Sequence, residues 1–179
     1  MKKLAAVLSL LLVASSAFAQ RSNGPYVVTD GTVARWRSIV GVITSQGVDN
    51  PVSSHIDSGT FAWSVRSGSA SVSLTTGAAF FEVEGLVING TMFSGTPGPV
   101  TAITGTVVCN AGDPIHETAL DSNPVPLDAR GNALFSGFIQ NIPSMCGNPL
   151  FLIRISTPAG ATGRWIATGA ERSIRDMGQ

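Results

Sequence analysis

A regular alternation of apolar and polar residues over 61–75 constrains the fold more than any other feature of this chain. Around Trp63 every second residue is apolar, and the run over 69–75 repeats the pattern. A period of two places one set of side chains on the buried face of a strand and the other set on its solvated face. Ser67 and Gly68 lie between the two runs and predict a tight hairpin turn.

The same pattern predicts strands in the rest of the chain, separated by turns rich in glycine, proline and asparagine. These further strands cover residues 26–29, 39–44, 78–88, 100–109, 133–139, 150–156 and 162–168. We expect residues 110–124 to be irregular and allow residues 170–177 one terminal helical turn. About seven to nine short strands, with no amphipathic helix, predict an all-β chain that folds as a single Ig-like antiparallel β-sandwich.

The beginning of the chain has the pattern of a secretory signal peptide. Lys2 and Lys3 supply a positive start, and an apolar run follows them. Ala17 and Ala19 then supply the small residues that a signal peptidase requires, which predicts cleavage before Gln20.

This leader predicts where the protein works and how it is organised. We expect residues 1–19 to be removed and residues 20–179 to form a single domain, with a loose N-terminal arm at 20–25. The apolar run of the leader is too short for a bilayer, and no later segment approaches about 20 apolar residues. The sequence therefore predicts a secreted or periplasmic protein with no membrane span.

The only two cysteines, Cys109 and Cys146, are expected to pair, because an exported chain folds in an oxidising compartment. Their bond would close a loop of about 38 residues and stabilise the fold by about 4 kcal/mol in the chain-entropy model. A redox pair usually has the spacing Cys-x-x-Cys, and a metal site brings more ligands at closer spacing. The spacing therefore favours a structural disulfide, and we expect no metal and no cofactor.

The charge distribution argues against a nucleic-acid partner. After removal of the leader the chain carries nine arginines, no lysine and eleven acidic residues, a net charge of −2. The arginines are scattered singly, whereas phosphate neutralisation needs clustered positive charge. The expected partner is instead an unknown extracellular or cell-surface molecule.

The two histidines, His55 and His116, are weak candidates for a ligand-binding site. Neither accompanies a Gly-x-Ser-x-Gly motif that would present an activated serine. We interpret both as surface-loop residues, with a cation site built from Asp113, His116 and Glu117 as the alternative for the second. The sequence predicts no catalytic residue.

Trp36 and Trp165 are the other weak ligand-binding candidates, because exposed indole rings can stack on sugars. Trp36 lies between two arginines and is the best candidate for an exposed ring, whereas Trp63 has the alternation of a core residue. Glu82 and Glu84 share one face of a predicted strand and invite comparison with the paired carboxylates of glycosidases. We favour a solvated outer face for this pair.

One pattern in the second half of the chain resembles a known group of proteins. It consists of a strand ending in Val-Val-Cys at Cys109, Val-Pro-Leu-Asp-Ala-Arg-Gly over 125–131, Cys146 before an aliphatic strand, and Ile-Ala-Thr-Gly over 166–169. The chain is similar there to uncharacterised small secreted bacterial proteins, for which no activity is assigned. The resemblance implies the disulfide and a single β-domain, and it carries over no catalytic or binding residue.

These observations favour an exported, non-enzymatic β-sandwich that acts as a binding or surface-interaction module. Such folds place recognition on loops at one end, here residues 45–59, 90–99 and 110–124. Two alternatives stay open. The first is an extracellular hydrolase that uses His116, Glu117 or the Glu82 and Glu84 pair. The second is a carbohydrate-binding module.

Overall fold

The computed structural model describes residues 31–45, 48–52, 56–157 and 159–176. These residues contain eleven β-strands and no helix. In chain order the strands are β1 (Thr32–Gly41), β2 (Trp63–Ser64), β3 (Ser67–Ser73), β4 (Ala78–Glu84), β5 (Val87–Ile88), β6 (Ala102–Cys109), β7 (Thr118–Asp121), β8 (Val125–Pro126), β9 (Ala133–Phe138), β10 (Leu150–Ser156) and β11 (Thr162–Asp176). The leader predicted over 1–19, the arm at 20–25 and the strand predicted over 26–29 lie outside the described residues.

Nine of these strands form one antiparallel sheet. Its order is β7-β6-β10-β11-β1-β3-β4-β9, and β8 pairs with β6 near the start of that strand. β2 and β5 form a small second sheet, also antiparallel. The structure confirms the all-β class, the antiparallel pairing and the disulfide, while the Ig-like sandwich stays a prediction.

The large sheet curls, because strands that are far apart in its order meet inside it. A Cβ atom added to Gly105 on β6 would lie 2.6 Å from the Phe81 ring on β4, although four strands separate β6 from β4 in the sheet. Phe81 also lies 5.6 Å from Phe151 on β10, and Phe151 lies 5.5 Å from Trp36 on β1. This aromatic cluster fills the concave side of the sheet and forms the centre of the core.

The alternation that predicts a strand also predicts which side chains enter this core. On β4, Phe81 and Val83 are buried while Glu84 is exposed, as expected for a strand with one solvated face. Trp63 on β2 is buried and its neighbour Ser64 is exposed, which confirms the core position of that indole. Every residue of β6 is buried, so alternation alone could not assign its inner face.

The predicted hairpin at Ser67 and Gly68 is wrong. Both residues belong to β3, where Ser67 lies opposite Glu84 of β4. The run around Trp63 pairs instead with β5, and the Trp63 amide donates to the Val42 carbonyl over 2.9 Å. Alternation identifies a strand but carries no information about its partner, and here the partners are distant in sequence.

Two other predictions at strand ends are wrong for a related reason. Residues 170–177 were expected to form a helical turn, but β11 continues to Asp176 because residues 172–176 pair with the first half of β1. The irregular segment expected over 110–124 contains β7, whose residues pair with β6. Both stretches are polar, so they lack the apolar alternation by which a strand is recognised.

The strand predicted over 78–88 is two strands. Gly85 has φ of +65°, a left-handed conformation that glycine adopts without the strain other residues would incur, and it separates β4 from β5. β5 then leaves the large sheet for the small one. With these short pieces counted, the described residues hold eleven strands rather than the predicted seven to nine.

Candidate functional site

Two loops meet at the end of the sheet where β6 stops and β10 starts, which we call the disulfide end. The first loop covers residues 110–117 and the second covers residues 139–149. The disulfide joins them: Cys109 and Cys146 have Cα atoms 4.7 Å apart, and the Cys109 side chain is fully buried. This bond confirms the predicted pairing and ties the second loop to the last residue of β6.

Asn110 reinforces that connection by bonding to both loops. Its backbone amide donates to the Gly147 carbonyl over 2.6 Å, and its side-chain oxygen accepts from the Gly147 amide over 2.8 Å. Its side-chain nitrogen donates to the His116 carbonyl at 3.1 Å and to the Met145 carbonyl at 3.3 Å. Asn110 has a left-handed backbone conformation, with φ of +55°. Asparagine tolerates that conformation better than most residues, and its amide can bond to backbone groups on both sides.

β11 supports the same loops from the side. The Arg172 guanidinium donates to the side-chain oxygen of Asn148 at 3.0 Å and to the Pro149 carbonyl at 2.5 Å. The Asn148 side chain in turn donates to the Ala111 carbonyl in the first loop, at 3.3 Å. Three side chains and one disulfide therefore hold this pair of loops on the sheet.

Asp113 organises the turn that presents His116. One carboxylate oxygen accepts from the Ile115 amide at 2.9 Å and from the His116 amide at 3.2 Å, while the other lies 2.9 Å from Nδ1 of His116. The Ile115 amide, followed by the His116 ring, holds the pKa of Asp113 below its usual value. The carboxylate therefore stays ionised, orients the imidazole and leaves its Nε2 free of this contact.

Glu117 has a structural partner rather than a place beside the histidine. Its carboxylate accepts from the Gly112 amide at 3.0 Å and closes the base of the same turn. No group of three or more His, Cys, Asp or Glu residues suited to a metal ion occurs among the described residues. The cation site considered for Asp113, His116 and Glu117 therefore gains no support from the geometry.

An open groove of about 560 Å³ runs between the two loops. Ile115 and Met145 are each 82% exposed beside it, and Pro143 continues the apolar lining. The polar lining comes from Asn110, Asp113, His116, Thr118 and Ser144. Large exposed apolar side chains on loops that are held this firmly are typical of recognition surfaces.

The tryptophan candidates do not line this groove. The prediction of an exposed Trp36 ring is wrong: the residue is 1% exposed and packs against Phe151 and the backbone at Gly169. Trp165 is also buried, and its indole N–H donates to the Asn50 carbonyl at 2.9 Å. With Trp63 buried as well, none of the three indoles offers a face for sugar stacking.

The acidic pair on β4 has the outer-face position that we favoured. Glu82 accepts from the Ser69 hydroxyl at 3.2 Å, and Glu84 accepts from the Ser67 hydroxyl and the Arg66 guanidinium, each at 3.0 Å. The hydrogen bonds from Ser67 and then from Arg66 lower the pKa of Glu84. A lowered pKa is the opposite of what a general acid needs.

The three loops expected to gather at one end lie at two ends. Residues 110–117 follow the last residue of β6, whereas residues 90–99 precede its first. The described part of residues 45–59 follows the end of β1, and strand directions alternate from β6 through β10 and β11 to β1. The start of β6 and the end of β1 are therefore at the same end, opposite the disulfide. His55 lies outside the described residues.

Sequence reasoning missed a half-buried charge on the outer side of the sheet. Arg154 on β10 lies 3.5 Å from Asp121 on β7, and its Nε donates to the Gly163 carbonyl at 2.7 Å. Burial lowers the pKa of Arg154, and the Asp121 charge opposes that effect. An arginine inside an apolar strand was the available signal, because such a charge needs a partner.

Comparisons with known proteins add no relative: no family model, no curated protein and no solved structure matches this chain. No helix within the described residues is long and apolar enough to span a membrane.

Proposed function

We propose that this chain is an exported binding protein that recognises a protein partner through the groove at the disulfide end. The observation that carries the proposal is the exposure of Ile115 and Met145 on two loops tied together by the disulfide and by Asn110. Preformed loops lose little conformational entropy on binding, so apolar contacts made there contribute more of their energy to affinity. The disulfide is consistent with an oxidising compartment, as export requires.

The chemistry of the groove indicates which kind of surface it accepts. An apolar contact from Ile115 and Met145 would form the centre, and the ionised Asp113 would accept a hydrogen bond at the rim. Recognition sites commonly combine an apolar centre with a polar rim of this kind. A protruding loop with aliphatic side chains and a nearby amide or cation therefore fits best.

Site-specific photocrosslinking tests this proposal. A photoreactive residue at Ile115 of the oxidised, mature chain should capture one extracellular or cell-surface protein, and the same residue at Met92 should not. Met92 is the matched control, because it is almost fully exposed but lies in the loop at the opposite end.

The captured protein is then purified and its affinity measured. Met145→Ser and Ile115→Ser should each weaken binding about tenfold or more, as substitutions of central contacts do. Met92→Ser should leave the affinity unchanged. Equal capture from both positions, or an affinity that the groove substitutions leave unchanged, would contradict the proposal.

A hydrolase is the second candidate, and the pair of Asp113 and His116 favours it. The carboxylate orients the imidazole as in a catalytic triad, and Ser144 lines the same groove. If this pair is catalytic, a fluorophosphonate probe should label the purified protein, and His116→Ala or Ser144→Ala should abolish labelling. Absence of labelling in the folded, oxidised protein removes the serine-hydrolase candidate and leaves the binding proposal intact.

A further inference from the structure

The large sheet ends in two strands, β7 and β9, that differ in how their free edges are protected. None of the described strands pairs with the second edge of β9. β8 approaches only its first residues, since Pro126 lines the same shallow pocket as Ala133 and Leu134, and Leu134 remains 60% exposed there. The open part of this edge therefore runs from Leu134 to Phe138. Unpaired strand edges attract other strands unless charge, proline or a covering segment prevents it.

β7 carries such protection and β9 does not. β7 has only four residues and holds the charged Asp121 on the strand, next to Arg154. β9 has six residues, Ala-Leu-Phe-Ser-Gly-Phe, with no charge and no proline. Its Leu134 and Phe138 side chains are 60% and 58% exposed. They share one face of the strand, because they are four positions apart, an even number.

We infer that this edge pairs with the same edge of a second copy of the chain, antiparallel and about a two-fold axis at Ser136. The backbone groups of an open edge are satisfied only by another extended strand, which determines the class of partner. A second copy fits because β9 meets no like charge when it is laid against itself. Its open part is also centred on Ser136, which is the position that the axis requires.

This register gives each exposed apolar residue a partner. Leu134 of one copy lies opposite Phe138 of the second copy, and this contact occurs twice across the axis. On the inner face Phe135 lies opposite Gly137. The Phe135 ring already covers Gly137 within one chain, where an added Cβ would lie 2.9 Å from the ring, so the inner face is filled without a new side chain. Phe135 stacks on Phe81 at 5.4 Å, which holds β9 in place for pairing.

The interface is small, and the dimer is accordingly weak. A single strand edge buries less than the roughly 1,600 Å² of a standard interface. We expect a dissociation constant of about 10 μM to 1 mM, in the range of transient contacts. β9 leads into the second loop of the disulfide end, but none of its own residues lines the groove.

Sedimentation of the oxidised mature chain across this concentration range tests the dimer. The weight-average mass should rise toward that of a dimer for the native sequence and stay at that of a monomer for Leu134→Lys. Val40→Lys is the matched control, since it adds the same charge at a half-exposed residue of β1 and should leave association unchanged. A native chain that stays monomeric throughout, or Leu134→Lys that still dimerises, overturns the inference.

Cysteine crosslinking tests the register. Directly opposed residues in an antiparallel pair have Cα atoms about 4.5–5.5 Å apart, which suits a disulfide. Ser136→Cys should therefore form a covalent dimer several times faster than Leu134→Cys or Phe138→Cys, whose copies lie far from the axis. Equal rates at the three positions overturn the two-fold register.

Discussion

A single missing side chain allows the sheet to curl. Gly105 lies under the rings of Phe81 and Phe151, and an added Cβ would come within 2.6 Å of the first and 3.0 Å of the second. The rings cannot move away easily, because Phe81 also stacks on Phe135 and Phe151 packs on Trp36. The close approach of β4 to β6 therefore depends on the absence of a side chain at one position.

Gly105→Ala should consequently destabilise the protein by about 1–3 kcal/mol, the usual cost of overpacking a rigid core. The free energy of unfolding in urea, measured with the disulfide intact, checks this value. Gly163→Ala is the control, because its added Cβ would meet only a carbonyl at an ordinary 3.5 Å. Similar losses from both substitutions would mean that backbone flexibility, not the aromatic contact, determines the effect.

Asp128 is a second residue with a structural role, because it shapes the turn that leads into β9. Its carboxylate accepts from the amides of Asn132 and Arg130, each at 2.8 Å. The Asn132 amide contributes most to a pKa of Asp128 below the usual value. Asn132 also accepts from the Gly85 amide at 3.1 Å, so the turn aligns β9 with the end of β4.

The pKa of Asp128 predicts a pH dependence of stability. A carboxyl group whose folded pKa is depressed stabilises the protein above its unfolded pKa, and this contribution is lost as the pH falls through the folded value. Asp128→Asn should therefore flatten the loss of stability below about pH 4, where the ordinary carboxyl titrates. Urea midpoints between pH 6 and pH 2.5 measure the difference. An unaltered curve for Asp128→Asn would contradict this role.

At the scale of the element, the sequence predicted strands better than it predicted their partners. The strand predicted over 150–156 coincides with β10, because turn residues bound a short apolar run at both ends. The run around Trp63 also gave the correct buried side chain. The strand partner predicted for this run was wrong, because nothing in the local sequence shows that the backbone at Gly41 lies against it. A Cβ added to Gly41 would be 2.1 Å from the Trp63 carbonyl oxygen.

The candidate site was less accessible to prediction than the strands. Cys109 and Cys146 could be paired from their number and the leader, and His116 was identified as a candidate by residue type. The bonding role of Asn110 depends on Met145 and Gly147, which are 35 and 37 positions away in sequence, and no local pattern indicates it. The exposure of Met145 likewise depends on where the disulfide places its neighbour.

Removal of the disulfide should lower the free energy of unfolding. The bond closes a loop with a sequence separation of 37 residues, for which the chain-entropy model predicts a stabilisation of about 4 kcal/mol. Replacing both cysteines by alanine should lower the free energy of unfolding by about that amount. Reduction of the native chain is the control for lost side-chain packing, because it keeps both sulfur atoms. A loss well below 2 kcal/mol in both samples would show that the loops stay together without the bond.

At the scale of the whole molecule, the most distant strands in sequence are neighbours in space. β1 pairs with β11, the last strand, and also with β3. Neither end of the described chain can therefore leave the sheet without opening its centre. Pairing over such long separations slows folding but couples the parts of a sheet to one another.

The three tryptophans can measure that coupling because they occupy different parts of one buried cluster. Trp36 lies at the centre of the large sheet, Trp63 in the small sheet and Trp165 near the start of β11. All three are buried, so each should shift to longer emission wavelengths when water reaches it.

Variants that keep one tryptophan and replace the other two with phenylalanine should each show the same urea midpoint by fluorescence as by circular dichroism of the backbone. A lower fluorescence midpoint for the variant that keeps Trp165 would mean that the segment around residues 57–59, which pairs with β11 there, opens before the sheet. Coincident midpoints for all three variants are expected, since their contacts belong to one continuous core.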